Sequence, residues 1–342
     1  MREDPMRKLI IVTALLLAAT SASAQFNSST LSWENDNFGI GRKSDRFYTN
    51  GVRYSAVFED GVIQWRWPKT FRDAVWRRAG IDGVQPIESI GVAFGQNFYT
   101  PQIITIAAPQ PLDRPWAGVL YGGLTEVITD ADQKLSHAFE LQVGILGPGA
   151  GAQGTQKFVH NDLGFSNNDP QGWHNQLKNE PMLELLYQQM RRYDVKEGVF
   201  DFVPSFGVLL GSPQTNVSAG GTIRLGYHVS GLPAVTIRPT AGGTRLTSPH
   251  KFEAYVFVGG EGRFVPFNAT LDGGLFRDGP KANGSKRFVA DFRRGVSVRW
   301  HWTRLTYTCI DRSKEFDVPA GGIATQRFGS IALTIEPFVT FR

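Results

Sequence analysis

The stretch "HAFELQVGIL", His137 to Leu146, places Glu140 and Gln142 two residues apart in the middle of an otherwise apolar run. Successive side chains on a strand point to opposite faces, so Glu140 and Gln142 share one face and Leu141 and Val143 the other. A charged group at mid-strand is costly against lipid but cheap in a wet or hydrogen-bonded lumen. The run therefore reads as one stave of a barrel with a polar interior. About twelve such segments recur between "LSWEN" (31–35) and "FGSIALTIEPFVTF" (328–341). Several carry apolar or aromatic residues on one face and Gly, Ser, Thr, Arg or Glu on the other. Arg224, Arg293, Arg294 and Arg299 are expected to point inward with Glu140 and Gln142, and Trp116, Trp300 and Trp302 to sit in an aromatic girdle. A soluble sandwich would show shorter strands with fewer charges at their centres.

The N-terminal region fixes the expected compartment. Arg7-Lys8, an apolar run from Leu9 to Ala19 and the Ala22-Ser23-Ala24 site fit a signal peptide over residues 1–24, leaving 25–342 as a single domain. That run is too short for a spanning helix, which needs about 20 residues, and no longer apolar stretch follows. The single cysteine, Cys309, excludes an intrachain disulfide, and reads as a small buried or lipid-facing residue. A net charge of +5 without a dense Lys/Arg cluster or stacking motif points to an anionic surface rather than to nucleic acid. The expected fold is thus all-β: a transmembrane antiparallel β-barrel of about twelve strands.

Two connections, residues 59–86 and 147–180, are too long for turns, and loops of that length usually carry function. In the second, "GTQKFVHNDLG" predicts a short helix with Gln156, His160 and Leu163 on adjoining faces. Two polar clusters stand out. "ENDN", Glu34 to Asn37, gathers hard oxygen donors at a strand end, where either a polar turn or a calcium cradle explains them. Alternation sends Asn35 and Asn37 one way and Glu34 and Asp36 the other unless a bulge intervenes. His160, beside Asn161 and Asp162, is a candidate general base or a solvated loop residue, with His137 and His174 as competitors. No Gly-x-Ser-x-Gly elbow and no His-x-x-x-His spacing occurs.

Taken in order, "ENDNFGIGRKSDRFYTNGVRYS", "GQNFYTPQ", "DRPWAGVLYGG", "GPGAGAQGTQKFVH" and "PQGWHNQLKNEP" resemble the outer-membrane lipid A 3-O-deacylase family over most of the chain. The resemblance implies a monomeric twelve-stranded barrel of the bacterial outer membrane, acting on lipid A of lipopolysaccharide, with its site between the wall and a helix in a long extracellular loop. It implies a calcium ion that polarises the ester carbonyl and a histidine that activates water. The matching positions are Asn35 and Asp36, Thr49 and His160. A family Glu aligns near Ser166, which leaves Asp169 as the candidate third metal ligand; a family Lys aligns near Ile106, which leaves Arg42, Lys43 and Arg46 as candidate phosphate contacts. An outer-membrane channel and an inactive lipopolysaccharide-binding barrel are the alternatives.

Overall fold

The computed structural model describes residues 26–41, 46–58, 67–68, 70, 73–74, 87–162, 168–233, 250–320 and 322–336. The expected signal peptide, Arg42, Lys43, Leu163 and the last residues of the chain lie outside them. Thirteen strands are described: β1 (Phe26–Asn35), β2 (Phe47–Phe58), β3 (Ile87–Thr100), β4 (Ala117–Thr129), β5 (Leu135–Leu146), β6 (Glu180–Arg191), β7 (Tyr193–Lys196), β8 (Gly198–Ser212), β9 (Gln214–Val229), β10 (Phe252–Asn268), β11 (Phe288–Trp300), β12 (Thr303–Arg312) and β13 (Gln326–Ile335). β7 continues β6 past Arg192, so the two form one stave. Neighbours in sequence pair antiparallel, β1 pairs β13, and β6 pairs β8. The result is a closed barrel of twelve staves, one for each segment read from the sequence. Closure leaves no exposed edge, the condition for a sheet to span a membrane.

Alternation sorts the side chains as expected. Val143, Leu185, Phe206, Leu225, Val256 and Val298 face outward and are exposed, forming the apolar outer band. Glu140 and Gln142 are buried inside; Glu140 accepts hydrogen bonds from Arg53 Nη2 (2.8 Å), Thr125 Oγ1 (2.7 Å) and Gln142 Nε2 (2.7 Å). Ion pairs repeat along the lumen: Arg224 with Asp201 at 2.6 Å, Arg304 with Glu253 at 2.7 Å, and Asp291 shared by Arg263 (2.8 Å) and Arg312 (2.9 Å). Partners at these distances offset much of the cost of burying each charge.

Two expectations are corrected. Arg293 and Arg299 point inward, but Arg294 points outward to Asp311 on β12, because adjacent residues on a strand cannot share a face. Trp300 and Trp302 are exposed at one rim as a girdle requires, whereas Trp116 is buried against Trp173 with ring centroids 4.9 Å apart. Trp116 immediately precedes β4, where the long loop folds back over it.

Candidate active site

β1, β3 and β5 end at the rim where β2, β4 and β6 begin, and both polar clusters gather there. Pairing of β1 stops at Asn35, which lies opposite Asn50 on β2 and Gly329 on β13. Asp36–Phe38 then make a 3-10 turn capped by Asn35, whose Oδ1 accepts from the Asn37 N–H at 2.8 Å; Asn favours this position because its side chain reaches the otherwise unpaired N–H. Asn35 Nδ2 donates to Asn50 Oδ1 (3.1 Å), which also accepts from the Trp33 indole (2.7 Å). Glu34 departs from the cluster: its carboxylate turns inward and accepts from the Tyr48 hydroxyl at 2.9 Å. Asp36 is fully buried, and its Oδ2 accepts from the Arg46 backbone N–H at 2.7 Å.

A bulge sets Thr49. Tyr48 stands opposite Tyr99 and Asn50 opposite Phe98, so Thr49 is an extra residue between two paired ones. Bulges re-aim side chains beside functional sites, and here the Thr49 hydroxyl lies 2.7 Å from that of Thr100. Tyr48 packs in the core, Asn50 bonds Asn35, and Thr49 meets Thr100 on β3.

The second half of the site is carried by the loop between β5 and β6. It contains the helix α1 (Ala152–Lys157), followed by a wider π-type turn over Phe158–Asp162. The helix starts two residues earlier than the sequence suggests. It lies against the outer wall at β3 and β4: Gln96 Nε2 donates to the Ala150 carbonyl at 2.6 Å, and Ala152 packs in a buried cluster with Phe98, Ile104, Trp116 and Trp173. Gln156 is buried on this helix. Its Oε1 accepts from the Trp173 indole at 2.7 Å, and its Nε2 is a buried donor with no partner among the described residues. His160 is 4% exposed, with Nδ1 2.7 Å from the Asn168 carbonyl oxygen. A carbonyl can only accept, so in the neutral ring Nδ1 bears the proton and Nε2 the lone pair.

Contacts join the halves. Asn35 binds Asn50; Asn50 stands opposite Phe98; the Phe98 ring lies 6.0 Å from that of Trp173, which holds Gln156 one helical turn before His160. Gln156 carries no motif of its own, and only its place on the helix next to His160 distinguishes it in the sequence. Asp169 is exposed, and its carboxylate accepts from Gln171 Nε2 at 2.5 Å. Arg46 is buried, with Nη2 3.4 Å from the Thr325 carbonyl, and meets Asp36 through its backbone. His137 is bonded to the Tyr187 hydroxyl near the opposite rim, and His174 lies in the 3-10 turn Trp173–Asn175. Among the described residues no three His, Cys, Asp or Glu side chains converge. The Asp36 carboxylate and the neighbouring Asn35 and Asn50 carboxamides are oxygen donors, a set that suits a hard cation and not zinc.

A protein-family model described as outer membrane protein LpxR matches residues 9–336. The chain belongs to the LpxR family. Its barrel is similar to LpxR from Salmonella typhimurium, with a TM-score of 0.69 at 18% identity over 91% of this chain and 100% of that one. The β domain of the Bordetella autotransporter BrkA is a remoter likeness, with a TM-score of 0.42 at 9% identity over 91% of this chain and 99% of that one. Among curated proteins none matches. As an LpxR-family member the protein is a twelve-stranded barrel of the outer membrane, with the loop helix in place, and membership supports a lipid A deacylase.

Proposed function

We propose that this LpxR-family barrel hydrolyses the 3-O-linked acyl ester of lipid A at its extracellular rim. The observation that carries the reading is the bond from His160 Nδ1 to the Asn168 carbonyl, which fixes Nε2 as the basic nitrogen on a loop seated against the barrel wall. Nε2 takes a proton from water as that water attacks the ester carbonyl, and no covalent acyl-enzyme is needed. Negative charge then grows on the carbonyl oxygen. Gln156 Nε2, a buried donor not engaged among the described residues, is suited to receive it; one such donor is worth roughly 10²–10³ in rate. Asn35 and Asp36 are the residues that would hold calcium, with Asp169 the further carboxylate contributed by the loop. When bound, the ion polarises the ester carbonyl. Thr49, brought beside Thr100 by its bulge, supplies a hydroxyl that positions the substrate.

Weighing against the channel reading, paired guanidinium and carboxylate groups, among them Arg53–Glu140 and Arg312–Asp291, are buried in the lumen among the described residues. The test is a mass spectrum of lipid A incubated with folded, detergent-purified protein. Loss of one ester-linked acyl unit is expected with calcium, and no loss with a chelator or with His160→Ala. An unchanged spectrum under all conditions would overturn the hydrolase and leave the inactive binding barrel.

A further inference from the structure

Three charged side chains stand on the outside of the barrel, on three adjacent staves. Arg294 of β11 and Arg327 of β13 both pair with Asp311 of β12. They share the outward face with Phe292, Val296 and Val298 of β11, Leu305 of β12 and Ile331 of β13, all exposed. The three side chains are 35%, 28% and 32% exposed, in the order Arg294, Arg327, Asp311. Charges on a lipid-facing wall cost about 2–4 kcal/mol for Arg at mid-depth and about 0–1 near the interface.

Their height explains the tolerance. Arg327 is the second residue of β13 and Asp311 the last but one of β12, both at the rim that carries the candidate site. From Arg327 to Ile335 the strand runs about 26 Å at roughly 3.3 Å per residue, which at a tilt of about 40° spans about 20 Å along the membrane normal, most of the ~25 Å apolar band of such barrels. Exposed Trp300 and Trp302 mark the opposite edge. Asp311 and Arg327 thus stand near the level where acyl chains give way to headgroups, while Arg294, the seventh of the thirteen residues of β11, starts deeper and reaches rimward to Asp311, with apolar Val296, Leu305 and Ile331 below it.

It also adjoins the catalytic turn. Arg327 Nη1 donates to the Ile40 carbonyl at 2.9 Å, the Tyr307 hydroxyl donates to the Phe38 carbonyl at 2.6 Å, and Gly329, two residues from Arg327, lies opposite Asn35. The loop helix covers the β3–β4 flank of Asn35, and the two arginines flank it on the β13 side. Two guanidiniums sharing one carboxylate leave a net positive charge, and each has five N–H donors in a planar fork that matches phosphate.

We infer that Arg294 and Arg327 form an outer-wall site for the phosphate of a membrane-resident phosphorylated glycolipid, holding it with its acyl chains along Val296, Leu305 and Ile331 and its sugar toward Asn35–Asp36. The inference deepens the deacylase reading and rests on it for the identity of that lipid as lipid A. Its test is a binding measurement, so it reads out whether or not hydrolysis occurs.

The full-length protein in detergent is titrated, in chelator to suppress turnover, with bis-phosphorylated lipid A and with the same lipid stripped of phosphate, followed by native mass spectrometry. The double variant R294Q/R327Q is expected to bind the phosphorylated lipid roughly tenfold more weakly and the stripped lipid as the unaltered protein does. A second variant, D311N, keeps both guanidiniums and removes the competing carboxylate; it is expected to bind phosphorylated lipid at least as tightly. Equal loss for both lipids, no loss for either, or loss of phosphorylated lipid in D311N would overturn the site. Retained binding preference here, together with an unchanged lipid A spectrum in the calcium-containing assay described above, would sink the hydrolase alone.

Discussion

Ala152 occupies the space a side chain at Gly118 would need: a β-carbon added to Gly118 would lie 2.6 Å from that of Ala152 and 3.2 Å from that of Ala150. Gly118 is the point on β4 at which the loop helix touches the barrel wall. A valine there is expected to lift the helix and displace Gln156 and His160 without disturbing the β3–β4 ladder. Displacements near 1 Å can cost about 10²-fold in rate. The check is lipid A turnover by Gly118→Val beside its gel mobility before and after heating, the barrel remaining folded while turnover falls.

Gln156 has two ends with two jobs. Gln156→Glu keeps an acceptor for the Trp173 indole but replaces the buried amide donor by a negative charge. Turnover is expected to drop by roughly 10²–10³ with little change in KM. Gln156→Leu loses the donor and also orphans the Trp173 N–H, adding about 1–3 kcal/mol of destabilisation. Denaturant unfolding of the two variants should separate the effects; equal turnover in Gln156→Glu and the unaltered protein would exclude the oxyanion role.

The Arg53–Glu140 pair is buried on both sides. Removing one partner leaves an uncompensated charge, so Arg53→Met is expected to lower unfolding stability by about 3–5 kcal/mol. Arg53→Met with Glu140→Leu should recover most of it. A double variant as unstable as the single one would show that the pair contributes more than mutual neutralisation.

Glu315, beyond the end of β12, bonds Arg114 at 2.7 Å and lies 4.0 Å from Arg312. Burial alone would raise its pKa, but the two guanidiniums prevail and hold it below the ordinary carboxylate range. The folded protein therefore binds this proton less readily than the unfolded chain. Its contribution is complete above the unfolded pKa of about 4.3 and is lost as pH falls through the lower folded value. Thermal unfolding between pH 6 and pH 3 should fall more steeply for the unaltered protein than for Glu315→Gln, and parallel slopes would remove Glu315 from the acid response.

The barrel was legible because a period of two is visible residue by residue: Glu140 and Gln142 announce a lumen, and all twelve segments appear as staves. Arg294 was misread because a cluster of arginines was treated as one group, although the pleat separates Arg293 from Arg294. Trp116 was misread because a tryptophan beside a strand end looks the same whether it meets lipid or a returning loop. Asn35, Asp36 and His160 stood out as polar candidates with alternatives left open, and their roles, with Thr49's, came from the family resemblance. What no local pattern encodes is their assembly: the bulge at Thr49 is defined by its partners on β3, and the seat of the helix by a glycine over thirty residues away on β4. Gln156 was visible as a neighbour of His160, but the Trp173 bond that orients it is a tertiary fact.

The helix rests on the outside of the wall, against Gly118 and Phe98, while the interior is occupied by paired charges. On the proposed reading, encounters with substrate are then confined to the plane of the leaflet, by sideways diffusion in two dimensions. Turnover should follow the mole fraction of lipid A among the surrounding amphiphiles and fall on dilution with inert detergent, even when the bulk concentration of lipid A is held constant.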